Sequence, residues 1–196
     1  MNRGRPGKST LNNWKQKPCG SPLKKRRKHK RGFLADKPDI PVTPAVRFLR
    51  ERKIDFKPRF YTYEEHGGTH LAAEMLKIPE HSIIKTLVLK ADSGQPFIVL
   101  QHGDCQVSTK ELARQIGVKR INPCGEGEAQ KHTGYQVGGI SPFGTRKTLP
   151  VYAEKSIFSL DRLVINGGKR GFLIEISPGD LSRTLPLKKV EAALKK

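Results

Sequence analysis

Apolar positions are sparse and aperiodic over the first 41 residues of the 196-residue chain, and they recur with helical or strand spacing only after that. Thr43-Pro44 marks the first element: threonine caps a helix, proline suits its first turn, and Val46, Phe48 and Leu49 give it an apolar side. Ile54-Asp55-Phe56 and Phe60-Tyr61-Thr62-Tyr63 read as a strand pair or an extended segment. Gly67-Gly68 breaks the chain before a second helix from Thr69, with Leu71, Ala72, Met75 and Leu76 on one face. Ile83 to Leu89 is the strongest strand, and Phe97 to Leu100 is its hairpin partner across Asp92-Ser93-Gly94.

Ser108-Thr109-Lys110-Glu111 has the form of a capping box, with Leu112 and Ile116 facing the core and Gly117 closing the helix. Residues 134–150 hold four glycines and two prolines at Gly134, Gly138, Gly139, Pro142, Gly144 and Pro150, too many for a regular element, and such a loop is functional or a set of tight turns. Arg162 to Ile165 and Phe172 to Ile176 are two further strands joined through Asn166-Gly167-Gly168-Lys169-Arg170-Gly171. Ser177-Pro178-Gly179-Asp180 caps a short helix, and Leu187, Val190, Ala193 and Leu194 are spaced for a last one. Helices and strands intermix without regular alternation and without internal repeats, which points to a mixed α/β or α+β fold.

Charge divides the chain. The formal net charge is +20, and residues 1–40 hold 13 Lys and Arg against two acids, a net of +11, leaving +9 for the rest. With hydrophobic residues at 35% of the whole and none of the arm's glycines and prolines in a periodic pattern, residues 1–41 are expected to form a disordered basic arm and 42–196 the folded domain. Within the arm, Lys24, Lys25, Arg26, Arg27 and Lys28 begin an unbroken basic block through His29, Lys30 and Arg31, suited to a polyphosphate backbone without reading sequence. Trp14 is a lone stacking candidate. Three cysteines with no C-x-x-C pair and no apolar run of ~18–20 residues exclude a disulfide-stapled or helix-spanning reading. A reducing, cytoplasmic setting is expected, and the absence of acids before Asp36 leaves an organelle-transit reading open.

Most candidate chemistry dissolves on inspection. His66 and His70 have H-x3-H spacing, but Gly67-Gly68 lies between them and no third ligand is near, so no metal is expected. Cys105 and Cys124 read as inert thiols, and Ser141 in Gly139-Ile140-Ser141-Pro142 is not a nucleophile elbow because proline follows it. Lys85 inside an apolar run is either an exposed strand position or the mouth of a pocket, and Lys169-Arg170 is either a hairpin tip or a phosphate clamp.

Thr43-Pro44-Ala45-Val46, Tyr63, Lys85-Thr86-Leu87, Ser108-Thr109-Lys110-Glu111, the string from Thr133 to Gly144, and Asn166-Gly167-Gly168-Lys169-Arg170-Gly171 follow one another as in the YbaK/EbsC family, which the chain resembles over about residues 43–190. That family comprises free-standing aminoacyl-tRNA deacylases related to the editing domain of bacterial prolyl-tRNA synthetase. The resemblance implies an α+β fold, a single compact domain around a mixed, barrel-like sheet with peripheral helices, and no cofactor. It implies Lys85 and Gly138 as the catalytic pair, and a pocket shaped by Tyr63, Thr86, Gly139, Ile140, Ser141, Asn166, Gly167 and Lys169. The partner it implies is aminoacyl-tRNA, tRNA(Pro) first, with prolyl-tRNA synthetase in a ternary complex as a further expectation. The resemblance starts at Thr43, which leaves two readings of residues 1–41 open: an arm of the protein, or an upstream start at Met1.

Two positions depart from the cysteine-clearing members: Asn166 stands where they carry serine, and Leu173 where they carry an acid. Cysteine, alanine and proline differ by about a methylene or two, worth only ~1–3 kcal/mol of discrimination, so a synthetase pocket needs a second, editing site. The aminoacyl ester is already activated, so placement and oxyanion stabilisation suffice, which accounts for the missing triad. Cys-tRNA(Pro) is the expected substrate, with Ala or Ser on tRNA, a non-catalytic reader of the tRNA 3′ end, and a nucleic-acid packaging protein as alternatives.

Overall fold

The computed structural model describes residues 39–195, so the basic block at Lys24, Lys25, Arg26, Arg27 and Lys28 lies outside the described residues. The first helix, α1 (Pro44–Glu51), starts as its sequence predicts: Thr43 Oγ1 accepts from the Val46 N–H at 3.1 Å, and Ala45, Val46 and Leu49 are buried. Of the two readings for 54–63, a strand pair or an extended segment, the pair does not form. Instead β1 (Lys57–Phe60) runs antiparallel to β8 (Phe172–Ile176) at the edge of the main sheet, a place that tolerates Pro58 because an edge strand has N–H positions with no partner to lose.

Helix α2 (Gly68–Leu76) turns its alanines inward. Ala72 and Ala73 pack with Ile83, Val164 and Leu173, whereas Met75, expected on the apolar face, is 44% exposed. After a 3₁₀ turn at Glu80–Ser82 come β2 (Ile83–Ala91), β3 (Pro96–His102), β4 (Cys105–Val107) and α3 (Thr109–Ile116). The capping box at α3 is half made. Ser108 Oγ accepts from the Glu111 N–H, but the Ser108 N–H donates to the Ala192 carbonyl, so the Glu111 carboxylate turns instead to Arg114 and Gln115.

Next come β5 (Ile121–Pro123), α4 (Glu126–Thr133), β6 (Val151–Glu154), β7 (Leu163–Lys169), β8 and α5 (Pro178–Thr184), the last capped by Ser177 Oγ, which accepts from the Asp180 N–H. The helix expected at the C-terminus is absent. Residues there form β9 (Leu187–Val190), parallel to β6, and β10 (Ala193–Lys195), antiparallel to β4. Four apolar residues at mixed three- and four-residue spacing fit either period over so short a run, and open sheet edges at β6 and β4 decide in favour of strands.

The main sheet has eight strands in the order β1-β8-β7-β2-β3-β6-β9, with β5 added on β2. Pairs β2/β7, β3/β6 and β6/β9 are parallel and the others antiparallel, which makes the fold a mixed α+β domain with helices at its periphery. One face carries the largest core cluster, including Ile84, Val88, Ile98, Leu100, Ile165 and Ile174. A second cluster lies under α3 and a third under α2. No helix among the described residues is long and apolar enough to cross a membrane.

Candidate active site

Strand β2 shares one of its edges between two partners. At its start Ile83 and Ile84 pair with Val164 and Ile165 of β7, and at its end Leu89 to Ala91 pair with β5. Between them no strand pairs with this edge among the described residues, because β7 leaves β2 after Ile165 and bulges between Asn166 and Lys169. Lys85, Thr86 and Leu87 stand in that fork. Asn166 and Lys85 each follow the last paired residues and so lie on the same face of the sheet, together with Gln101, which pairs with Lys85 across β3.

The ammonium of Lys85 is fixed rather than trailing into solvent. Its Nζ donates to the carbonyls of Gly103 at 3.0 Å and Cys105 at 2.5 Å, which the turn from β3 to β4 presents to it. The same turn is braced from the other side by Thr69 Oγ1, which donates to Glu80 Oε1 at 2.7 Å and reaches the Gly103 carbonyl at 3.2 Å. Thr86, on the opposite face, has a buried hydroxyl with no hydrogen-bond partner among the described residues.

The glycine loop after α4 closes over the β7-β8 hairpin. Tyr135 Oη donates to the Phe143 carbonyl at 2.6 Å and closes the Gly138-Gly139 part of the loop on itself. Asn166 Nδ2 donates to the Gly138 carbonyl at 3.0 Å, and its Oδ1 accepts from the Gly168 N–H at 2.8 Å. Gly138 has φ +85°, and a Cβ there would sit 2.8 Å from Tyr63 Oη, so only glycine fits. The Gly139 N–H is already donated to the Gln136 carbonyl at 2.9 Å, whereas the exposed Gly138 N–H has no hydrogen bond among the described residues. Of these two amides, Gly138 alone has its hydrogen available for a substrate carbonyl.

Other expected pocket residues serve the framework. Ile140 is in the main core, and Ser141 is fully buried with Oγ accepting from the Phe143 N–H. Gly167 lies against the Phe172 ring, where a Cβ would come within 2.3 Å, and its carbonyl accepts from Thr43 Oγ1 at 2.5 Å, which ties the α1 cap to the bulge. Lys169 is exposed at the hairpin tip. Leu173, paired with Asn166, is buried under α2 and does not line an open wall. Arg170, read from the sequence only with Lys169 as a hairpin tip or phosphate clamp, donates from Nε to the Val137 carbonyl at 2.9 Å while its guanidinium lies 4.9 Å from the Tyr63 ring centre. Its place beside Lys169 in the glycine-bounded pair was the available signal.

Neither cysteine is a ready nucleophile. Burial pushes the Cys105 thiol up, and a hydrogen bond and the charge of Asp104 add to it against the opposing pull of Lys85; burial and Glu128 likewise raise Cys124. His81, Asp104 and Cys105 gather donor atoms within 4.8 Å of one another. His81 Nδ1, however, lies 2.9 and 3.0 Å from the two Asp104 oxygens, hydrogen-bonding contact and closer than the ~3.4 Å that two ligands of one tetrahedral ion keep. Burial works against the Asp104 charge, but the hydrogen bonds from His81 and Cys105 outweigh it and hold the carboxyl below its usual range. His81 in turn stacks on buried His102, with ring centres 3.7 Å apart.

A site with a fixed cation, one presented amide and no activated side-chain nucleophile suits an ester that is already reactive. The family model for the aminoacyl-tRNA editing domain matches residues 66–184. The chain is 30% identical over 146 residues to the "Putative Cys-tRNA(Pro)/Cys-tRNA(Cys) deacylase EbsC" of Enterococcus faecalis, covering 74% of this chain and 89% of that one. Among solved structures, a hypothetical protein (APE2540) superposes with a TM-score of 0.70 at 20% identity, over 77% of this chain and 99% of the other. A "putative trans-editing enzyme for prolyl tRNA synthetase" does so with 0.65 at 19% identity, over 80% and 99%. The matched residues span the fork, the glycine loop and the hairpin bulge, and the chain belongs to the aminoacyl-tRNA editing domain family, a class of aminoacyl-tRNA deacylases.

Proposed function

We propose that the protein clears a small amino acid from mischarged tRNA(Pro), with Cys-tRNA(Pro) as the substrate. The observation that carries this reading is that a carbonyl-anchored Lys85 ammonium and an available Gly138 N–H belong to the two strands that part at the fork, Lys85 on β2 and the Gly138 loop held to β7 by Asn166. In the proposed mechanism the 3′-terminal nucleotide enters the fork between β2 and β7. Lys85 holds its phosphate or the ester oxygen, and the Gly138 N–H donates to the carbonyl oxygen as it gains negative charge. The attacking group is the substrate's own thiol or an ordered water, which a ribose hydroxyl can orient, since burial raises the Cys105 and Cys124 thiols above their ordinary range. The carbonyl carbon gains a bond to the thiol sulfur, giving a thiolactone, or to the water oxygen, giving free cysteine; the acyl C–O bond to the ribose breaks, and the proton lost by the nucleophile passes to the departing ribose oxygen.

The setting proposed is the cytoplasm, with prolyl-tRNA synthetase as a partner holding the tRNA in a ternary complex. The test is incubation with Cys-, Ala- and Ser-tRNA(Pro). Release of cysteine fastest of the three supports the proposal, release of alanine or serine instead moves the substrate, and binding without release of any of them makes the protein a reader of the 3′ end.

A further inference from the structure

Away from the fork, α3 and β5 enclose a groove of about 390 Å³ whose lining has one sign of charge. Lys110, Arg114, Lys119 and Arg120 surround a floor that includes Ala113 and Ile121, and no acid lines it. Among the described residues Lys110, Lys119 and Arg120 form no ion pair, and only Arg114 is engaged, by Glu111. The adjoining groove on the other side of α3 is the opposite case: Glu111 and Glu191 line it among Arg114, Lys155 and Lys189, and Lys155 is already paired with Glu191 at 2.7 Å. Like charges gathered at an exposed groove repel one another, and the arrangement is favourable when an anion fills it.

Strand β2 connects this groove to the fork. Ile121 in the groove floor pairs with Ala91, six residues along β2 from Lys85, about 20 Å at the usual strand rise. The side chains of Lys85, Leu87, Leu89 and Ala91 alternate onto one face of the sheet, and Leu87, Leu89 and Ala91 pack in the cluster under α3. The groove and the Lys85 ammonium are therefore on the same side of the protein. A separation of about 20 Å exceeds the size of a terminal nucleoside and matches a short run of nucleotides at ~3.4 Å each.

Resting on the deacylase reading above, we infer that the groove formed by Lys110, Arg114, Lys119 and Arg120 binds the phosphate backbone of the tRNA acceptor stem while the aminoacylated 3′ end occupies the fork. Contacts of this kind add affinity and register without reading bases. They act on full-length tRNA and leave a short 3′-end substrate untouched.

The experiment compares the full chain with a Lys110→Ala/Lys119→Ala/Arg120→Ala variant, and with a Lys119→Arg/Arg120→Lys variant that keeps the charge. All three substituted positions are exposed, so thermal unfolding should match the parent. Two measurements are made: the salt dependence of binding to uncharged tRNA(Pro), and the kinetics on Cys-tRNA(Pro) beside a cysteinyl CCA trinucleotide. The triple variant should flatten the slope of log K against log salt by about two and raise KM for the tRNA about tenfold or more. Its kcat, and all its kinetics on the trinucleotide, should stay at the parental values, and the charge-retaining variant should behave as the parent. An unchanged slope and KM would overturn the inference, as would an equal loss on the trinucleotide. If the parent releases no amino acid at all, the deacylase reading fails, and the salt slope with uncharged tRNA still decides the groove.

Discussion

Asn166 Nδ2 donates to the Gly138 carbonyl at 3.0 Å, and with the Arg170 Nε bond to the Val137 carbonyl it ties the glycine loop to the β7-β8 hairpin beside the fork in which Lys85 sits. Asn166→Asp keeps the oxygen that accepts from the Gly168 N–H but puts a carboxylate where the donor was. One lost hydrogen bond, about 1 kcal/mol, corresponds to roughly a fivefold to tenfold loss of kcat/KM with little change in unfolding temperature. Steady-state deacylation kinetics beside a thermal melt check this, and unchanged kinetics would remove Asn166 from the site.

Gly138→Ala tests the loop itself. Its φ of +85° disfavours any side chain by about 1–2 kcal/mol, and the new Cβ would press on Tyr63 Oη. The variant should fold and lose most of its activity, and adding Tyr63→Phe, which removes that oxygen, should restore part of it. A double-mutant cycle on kcat/KM measures the recovery, and strict additivity of the two changes would show that the contact is irrelevant.

Lys85→Ala should leave the fold intact, because the side chain is only partly buried and its two carbonyl partners lie on a turn. Removing a charged donor to the reacting ester should cost about 100-fold or more in rate, with Lys85→Arg intermediate. Single-turnover deacylation gives the number, and a parental rate for Lys85→Ala would end its assignment as the catalytic cation.

Acid should weaken the sheet edge at Glu175. Burial alone would raise this carboxyl, but the Arg59 guanidinium hydrogen-bonded to it, with Lys57 and Arg162 nearby, outweighs burial and holds it below the usual carboxylate range. Its folded value lies below its unfolded one, so the stabilisation is complete above the unfolded carboxylate range, about pH 4.3, and is lost as pH falls through the folded value. Urea unfolding from pH 7 to pH 3 should show this slope, and Glu175→Gln should lower stability near neutrality while flattening it. A slope unaltered by the substitution would place the effect elsewhere.

Deleting residues 1–41 should weaken tRNA binding and flatten its salt dependence, since 13 of the 38 Lys and Arg residues lie in positions 1–40. Turnover of bound substrate should stay nearly unchanged. Filter binding across a salt series against single-turnover rates separates the two, and an unchanged slope would make the arm a bystander.

Much of the local structure was legible in the residues. The caps at Thr43, Ser108 and Ser177, the β2-β3 hairpin and the β7-β8 hairpin all stand where their patterns place them, because each rests on contacts between near neighbours in sequence. Helix α4 was not legible: only Ala129 and Thr133 are buried, so its eight residues carry no apolar stripe. The C-terminal strands were misread because their partners, β6 and β4, are distant in sequence and supply the open edges that select strand over helix.

The candidate site divides in the same way. The sequence, through the family resemblance, nominated Lys85, Gly138, Tyr63 and Asn166 as candidates, and it determined the excess of positive charge. Only the tertiary structure decided what each member can do. The parting of β7 from β2 opens the fork, the β3-β4 turn anchors Lys85, and the turn at Gln136 engages the Gly139 N–H while leaving that of Gly138 available. These are consequences of pairing between remote strands and loops, and a linear pattern of residues contains no record of which backbone groups such pairing leaves unused.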